Sequence, residues 1–459
     1  MIRTTTVAAA VAAVLAGGSA MAQPTIAQIN AVPSANTVNI MGSSAIKNAL
    51  LADVQNNFCG GSGFTNITSN GTNTNFLGVS CTPAAGQATN GGIYNVWIRY
   101  EGGSVSGYLP IVNGVGVNEI SGPGLTANPI TINGESTTNG TDDSFTVSAG
   151  GSLVKTIPDL GIGDVEPKAL TGNNYPSAYV TSAWGPTNNA GLFGLASKGL
   201  VDEVYALFVN ESSGFTENPL NLSLETVANI LTHNASLTNW SQVLDVNGNS
   251  VGSGAITIVN RETGSGSRAA TDILMVGDGC GSAGKAATIF NKGGATAANQ
   301  YFSTGDVLAA ANSIAGAITY ATIDNAINPQ ASKTPNMVMV TLNNVAPTNL
   351  AAASGTYPFW VEAQYVNNAA STGHDVKAVN SIVTGLQTQA TTAALPDINA
   401  IPLLAAANGS GTLNATVHAN PVNSGLVPSG GGTSTVYINP YTRGGVTCNN
   451  PGYDATVTP

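Results

Sequence analysis

Three times along this chain a short strand-like run passes directly into a Gly/Ser turn: NIMGSS (residues 39–44), NVWIRYEGGSVSG (95–107) and ITIVNRETGSGS (256–267). Strands that end in such turns and alternate with apolar repeats of helical period build α/β proteins, so this punctuation narrows the fold class. After the first turn, Ile46, Leu50, Val54 and Phe58 recur every four residues. That spacing predicts a helix with one apolar face, which Ser43 or Ser44 can cap. After the third turn, RAATDILMV continues as a helix. Val204–Val209 reads as a buried strand, LSLETVANILTH as a helix capped by Ser223, and TGDVLAAANSIAGAITYATIDNA as a helix followed by a strand. Two more strands are expected near 337–342 and 358–366. Residues 112–150 keep no helical period and read as an inserted hairpin or loop excursion. The Gly/Asn/Pro-rich stretch beyond about 400 reads as an extension.

Charge is scarce. Only 8% of residues are charged, against roughly 25% in an ordinary globular protein. The net charge of −11 is spread thinly, and no Lys/Arg cluster exists. Nucleic acid as a partner is therefore not expected, because it requires a basic patch. The opening MIRTTTVAAAVAAVLAGGSAMA, with one basic residue, an apolar stretch and the end Ala20, Met21, Ala22, reads as a secretory leader cut before Gln23. Its apolar run is too short and alanine-rich for a transmembrane helix, and no membrane insertion is expected. An even number of cysteines in an exported chain usually means disulfides, and four cysteines allow three connectivities. We favour Cys59–Cys81 and Cys280–Cys448, the second pinning the C-terminal tail to the body. His233, His374 and His418 are isolated and no CxxC occurs, so no metal site is expected.

Two of the five arginines, Arg261 and Arg268, flank the GSGS run. Helix N-termini present unpaired N–H groups and the positive end of the helix dipole. Glycine lets the backbone approach an oxyanion, serine adds a hydroxyl donor, and arginine adds a planar, always-charged fork. The segment therefore has the chemistry of an oxyanion cradle. It is no Walker A loop, because the lysine is missing, and no Ser-His-Asp order with a nucleophile elbow is present. Neither catalysis nor a cofactor is expected.

The order of these pieces resembles the periplasmic phosphate-binding proteins of ABC transporters. RETGSGS is similar to their R-x-D-G-S-G-T, DLGIGDVEP to D-F-G-A-S-D-A-P, and NIMGSSAIKNAL and YEGGSVSG to their first two anion-binding loops. AITYATIDNA and NNVAPTNLAAASGTYPFW resemble segments that follow in the same order, so the likeness runs over about residues 36–385. It implies an α/β, two-lobed periplasmic-binding-protein fold of type II, here with a β-rich insertion and a C-terminal extension. The implied plan is a leader at 1–22, lobe one at 23–206, lobe two at 207–356, a return to lobe one at 357–400 and the extension at 401–459. Crossings between lobes are expected near 204–209 and 357–362. Residue by residue, the resemblance carries phosphate contacts to Ser44, Ala45, Ser104 (with Ser106 as the rival alignment), Asp164, Arg261, Ser265, Gly266 and Ser267. An ionised Asp164 repels a bare oxyanion but accepts a hydrogen bond from a protonated one, which would favour phosphate over sulfate. The bland alternative is an Asp164–Arg261 ion pair that stabilises a turn.

Two departures stand out: Thr263 replaces the family's Asp, and Gly163 replaces the Ser of A-S-D. They leave room for a different oxyanion or a phosphorylated compound. Trp97, Trp240 and Trp360 read as packing residues. The expected function is an exported, periplasmic or secreted solute-binding protein that captures phosphate and hands it to an ABC permease. The rival is a secreted surface or matrix protein that reuses the fold for assembly or adhesion, supported by the low charge, the Gly/Asn/Thr-rich insertion and the long tail. The sequence leaves oligomeric state open.

Overall fold

The strand Lys198–Asn210 changes partners halfway along its length, and the two halves of the molecule are arranged around that change. The computed structural model describes residues 22–100, 103–134, 145–171, 174–175, 188–211, 214–215, 220–232, 237–277, 300–301, 303–323, 336–369, 373–387, 427–428, 435–436, 441–443 and 445–453. From Lys198 to Val204 this crossing strand pairs antiparallel with the return strand Trp360–Asn367, with Val204 opposite Trp360. From Tyr205 to Val209 it pairs instead with Ala317–Thr322, with Tyr205 opposite Thr322. Eleven of its thirteen residues are buried. A strand enclosed on both faces reads as a continuous apolar run, which is why VYALFV was legible as one.

On the first-lobe side the sheet continues from the return strand through Leu160–Gly163, Thr37–Gly42, Tyr94–Arg99, Phe76–Cys81 and Thr65–Asn70. Thr37–Gly42 lies parallel to both Tyr94–Arg99 and Leu160–Gly163. In the second lobe Thr257–Ile258 lies parallel to Ala317–Thr322, and Asn260–Arg261 to Gln300–Tyr301. Parallel neighbours end at the same edge of a sheet, so their following loops gather there. The chain is thus a two-lobed α/β fold, as expected. The excursion at 112–150 is strand-rich: Val117–Ile120 pairs with Leu153–Thr156, and the hairpin Ile130–Gly134/Phe145–Ala149 extends the sheet edge beside Thr65–Asn70. Met337–Met339 and Thr341–Leu342 supply the expected strands near 337–342.

The predicted apolar face at Ile46, Leu50, Val54 and Phe58 is fully buried. It packs, with Val379, Ile382 and Leu386 of the helix Val376–Gln387, onto one face of the first-lobe sheet. One detail differs from expectation. The helix Lys47–Asp53 takes Ile46 as its N-cap without a side-chain bond, and the Ser43 Oγ accepts the Ala45 N–H instead. The helix Gly103–Asn113, which glycine at its start and Pro110 inside it had hidden, covers the opposite face with Val105, Tyr108 and Leu109. Ser223 caps Leu224–Leu231 as expected. Trp97, Trp240 and Trp360 are all buried.

Cys59 and Cys81 form the expected disulfide, closing a loop with a sequence separation of 22. Cys448 is also disulfide-bonded; its expected partner Cys280 lies outside the described residues, as do residues 1–21 of the expected leader, His233 and His418. His374 sits beside Asp159, with Nδ1 3.1 Å from Oδ1. Among the described residues no helix is long and apolar enough to cross a membrane, and no group of His, Cys, Asp and Glu could hold a metal.

Asp53 is completely buried between the two helices of the first-lobe face, its Oδ1 accepting from Asn57 Nδ2 at 2.5 Å and its Oδ2 without a hydrogen-bond partner. A side chain on Gly385 would strike this carboxyl, so glycine there lets the second helix lie close. Burial pushes the Asp53 pKa up to about 8. A carboxyl that keeps its proton in the folded state, but loses it near pH 4 when unfolded, makes stability fall as pH rises between those values. Denaturant titrations should therefore show the wild type weakening from about pH 4 to pH 8, and Asp53→Asn should flatten that slope.

Candidate functional site

The gathered loop ends place most of the expected residues in one buried region between the lobes. From lobe one, the backbone at Gly42 turns back against Leu160–Gly163, with the Ser43 N–H donating to the Ile162 carbonyl at 3.0 Å. Gly42 has φ +147°, and a Cβ there would lie 1.8 Å from the Ile162 oxygen, so only glycine fits. Beyond this turn Ser44 reaches across to lobe two, its Oγ 3.1 Å from Thr304 Oγ1. Ala45 is buried, with its N–H already used by Ser43.

Asp164 follows directly from Leu160–Gly163. Its N–H donates to Ser104 Oγ at 2.9 Å. The rival Ser106 instead donates to the Gly103 carbonyl at 2.6 Å, inside its own helix. Of the two alternatives, Ser104 is the one in contact with Asp164. The Asp164 carboxylate accepts from Ser267 Oγ at 3.0 Å through Oδ2, while among the described residues no hydrogen-bond partner reaches the buried Oδ1 within normal geometry. Tyr205, at the partner change of the crossing strand, places its hydroxyl 3.3 Å from Ser267 Oγ. Burial and the nearby Asp164 charge push the Tyr205 hydroxyl well above its ordinary range, so it stays a neutral donor.

In lobe two, the Arg261 side chain is only 2% exposed. Nη1 donates to Thr304 Oγ1 at 3.0 Å, and its backbone N–H donates to the Tyr320 hydroxyl at 3.2 Å. Ser44, Thr304 and Arg261 are thus linked by hydrogen bonds that cross from one lobe to the other. Burial lowers the Arg261 pKa, and Asp164 is the largest influence opposing that shift. Asp164 and Arg261 are thus close enough for the carboxylate's charge to act on the guanidinium. Ser265 caps the short helix Gly266–Thr271 by accepting the Arg268 N–H at 3.4 Å. Arg268 is also buried: burial holds its pKa down to about 10, and Asp272 is the first charge that counters the effect.

Close backbone approach joins the two sets of loops. The Val105 N–H donates to the Gly264 carbonyl at 3.0 Å, from the first turn of one lobe's helix to the other lobe's Gly/Ser loop. A Cβ on Gly266 would stand 2.2 Å from Ser104 Oγ and 2.8 Å from Asp164 Cβ. A Cβ on Gly103 would stand 2.8 Å from Ser265 Cα.

Sequence reasoning missed Thr304, Tyr205 and Tyr320. Thr304 could have been flagged, because it opens a helix just after a strand and follows the capping Ser303. The tyrosines carry no such mark, since Tyr in a strand is an ordinary β-former. The departure at Gly163 has a local cause: a side chain there would collide with the Tyr108 ring, whose hydroxyl donates to the Val165 carbonyl at 3.0 Å. At the other departure, the carboxylate most strongly felt by Arg261 comes from Asp164 of the opposite lobe rather than from position 263.

Residues 202–377 match the family model of a PBP superfamily domain, in agreement with the resemblance drawn from the sequence. No curated protein matches the chain. Among solved structures, the chain is similar to a putative phosphate ABC transporter substrate-binding protein with bound phosphate from Clostridium perfringens. That match has 13% identity and a TM-score of 0.44, covering 80% of this chain and 99% of the other. It is also similar to a phosphate binding protein from Stenotrophomonas maltophilia, at 14% identity and TM-score 0.41, covering 83% and 95%. An ABC-type phosphate transport receptor from Vibrio cholerae matches at 13% identity and TM-score 0.38, covering 80% and 99%.

The contact at Gly266 yields a direct check. Gly266→Ala places a methyl group against Ser104 and Asp164, so the lobes must part while each core stays intact. Small-angle scattering should show a larger radius of gyration for the variant, with unchanged far-UV circular dichroism.

Proposed function

We propose that this protein is an exported solute-binding protein that holds inorganic phosphate, or a similar tetrahedral oxyanion, between its lobes and delivers it to an ABC permease. One observation carries the reading. Asp164 of the first lobe and Arg261 of the second, 97 positions apart in sequence, share a buried region with Ser44, Ser104, Ser267 and Thr304. Arg261 supplies the attraction for an anion. The Asp164 Oδ1, buried and without a hydrogen-bond partner among the described residues, supplies an acceptor for an oxyanion that still carries a proton. Phosphate near neutral pH has that proton and sulfate does not, so the same carboxylate selects by repulsion. The hydroxyls of Ser44, Ser104, Ser267 and Thr304 can turn from each other toward the ligand. Tyr205 and Tyr320 stay protonated and hold the two charged groups in place.

A second reading is favoured by the direct contacts between the lobes, the Val105 N–H to Gly264 carbonyl bond and the close approach of Gly266 to Ser104. A surface or matrix protein that reuses the fold would have such contacts as its permanent state.

Titration calorimetry with the mature protein separates the readings. Phosphate is expected to bind with 1:1 stoichiometry, and sulfate to bind far more weakly. Arg261→Ala should weaken phosphate at least about thirtyfold, about 2 kcal/mol, because a buried charge loses its partner. Asp164→Asn should narrow the gap between phosphate and sulfate. Unchanged phosphate affinity in Arg261→Ala would remove Arg261 from the site. No heat with any oxyanion, together with filaments or sheets by negative-stain microscopy, would favour the assembly reading.

A further inference from the structure

The C-terminal tail docks on the hinge. Tyr441–Thr442 pairs antiparallel with Gly452–Tyr453, and the enclosed turn is tied internally: Arg443 Nη1 donates to the Asn449 carbonyl at 2.7 Å, and Asn449 Nδ2 to the Arg443 carbonyl at 2.8 Å. This preformed turn presents its donors to two buried carboxylates. Glu362 lies on the return strand opposite Asp202 of the crossing strand. Its Oε1 accepts the Arg443 N–H and its Oε2 the Gly445 N–H, the latter at 2.6 Å. Glu166 lies two residues after Asp164, and its Oε2 accepts both the N–H and the hydroxyl of Thr447, at 3.0 and 2.6 Å. The Arg443 guanidinium stacks 4.7 Å from the Trp360 ring centroid and donates to the Pro358 carbonyl at 3.3 Å.

Those anchors coincide with the place where the lobes are joined. The Tyr205 N–H donates to the Phe359 carbonyl, and the Ile323 N–H to the Val204 carbonyl. A hinge opens by changing backbone angles at a few residues, so whatever grips those residues opposes opening. Arg443 grips Pro358, Trp360 and Glu362 on the return crossing, while Thr447 grips the turn that carries Asp164. The buried acids Asp202, Glu362 and Glu166 also bear on the Arg443 guanidinium. Charge-assisted bonds of this buried kind are the strong ones.

We propose that residues 441–443 and 445–453 are a clasp that holds the interlobe hinge closed, so that exchange of the bound anion requires the clasp's hydrogen bonds to Glu362 and Glu166 to break as well as the lobes to part, while Cys448 stays disulfide-bonded. The hinge-holding part stands on the contacts alone; the gating of anion exchange rests on the phosphate reading given above.

Hydrogen exchange with the full mature chain, without phosphate, tests the first part. Arg443→Ala removes the grip on the crossing but also takes a positive charge from beside Asp202, Glu362 and Glu166. Thr447→Val is the milder companion, removing one hydroxyl while keeping shape. In both variants the Tyr205 and Ile323 amides should exchange at least about tenfold faster, the scale of one lost charge-assisted bond, while amides of Tyr94–Arg99 stay at the wild-type rate. Unchanged hinge amides in Thr447→Val, or equal acceleration of hinge and core amides, would overturn the clasp. Stopped-flow release of phosphate from the wild type and Thr447→Val tests the second part: faster release from the variant supports gating, and equal rates overturn it. If the wild type binds no phosphate, the anion reading falls, and gating with it, while the exchange measurement still decides whether the tail holds the hinge.

Discussion

The seam between the two lobes depends on one strand pairing with two different partners. Up to Val204 the crossing strand belongs with the return strand; from Tyr205 it belongs with Ala317–Thr322. Because the hydrogen-bond ladder passes from one set of neighbours to the other without a loop, the lobes cannot drift independently. Their facing edges are fixed relative to each other to within a small rotation. The carboxyl ends of the parallel strands on each side then deliver their turns to the same seam. Side-chain chemistry enters only after that, as Ser, Thr, Asp and Arg at the ends of strands whose positions are already set.

Electrostatics in the seam follows from its burial. A chain with so few charges buries both Asp164 and Arg261, and Asp164 is the charge that most offsets the cost of burying Arg261. The tyrosines at 205 and 320 are held neutral by the same burial, so they act as donors across the whole pH range in which a phosphate binder would work. Gly163, which looks like a lost hydroxyl when the chain is compared with its resemblances, has a packing reason. The Tyr108 ring occupies the space where a side chain would go.

How far the sequence could be read follows from the range of the interactions involved. The buried faces were legible because they are periodic: Ile46, Leu50, Val54 and Phe58 mark one helix, and the apolar run at 204–209 marks the crossing. The Cys59–Cys81 bond was favoured from its neighbourhood. The convergence of Asp164 with Arg261 came from the order of turns and the family resemblance, since nothing in either segment alone points to the other. Other features stayed hidden. The helix Gly103–Asn113 begins with glycine and contains proline, so local propensity argued against it and tertiary packing overrode propensity. Ser43 turned to its own backbone rather than capping a helix. Thr304 and Tyr205 take their roles from partners in other elements. Apart from Cys448, the tail's anchors stayed hidden because the acids that receive Arg443 and Thr447 lie about 80 to 280 positions away.

The contacts that join the two sets of Gly/Ser loops are amide to carbonyl and hydroxyl to carboxylate, with bare glycine backbone pressed against bare backbone. Dissolved electrolyte weakens attraction between exposed ions but leaves short, buried dipolar contacts almost untouched. Closure that rests on such contacts is therefore expected to depend little on ionic strength.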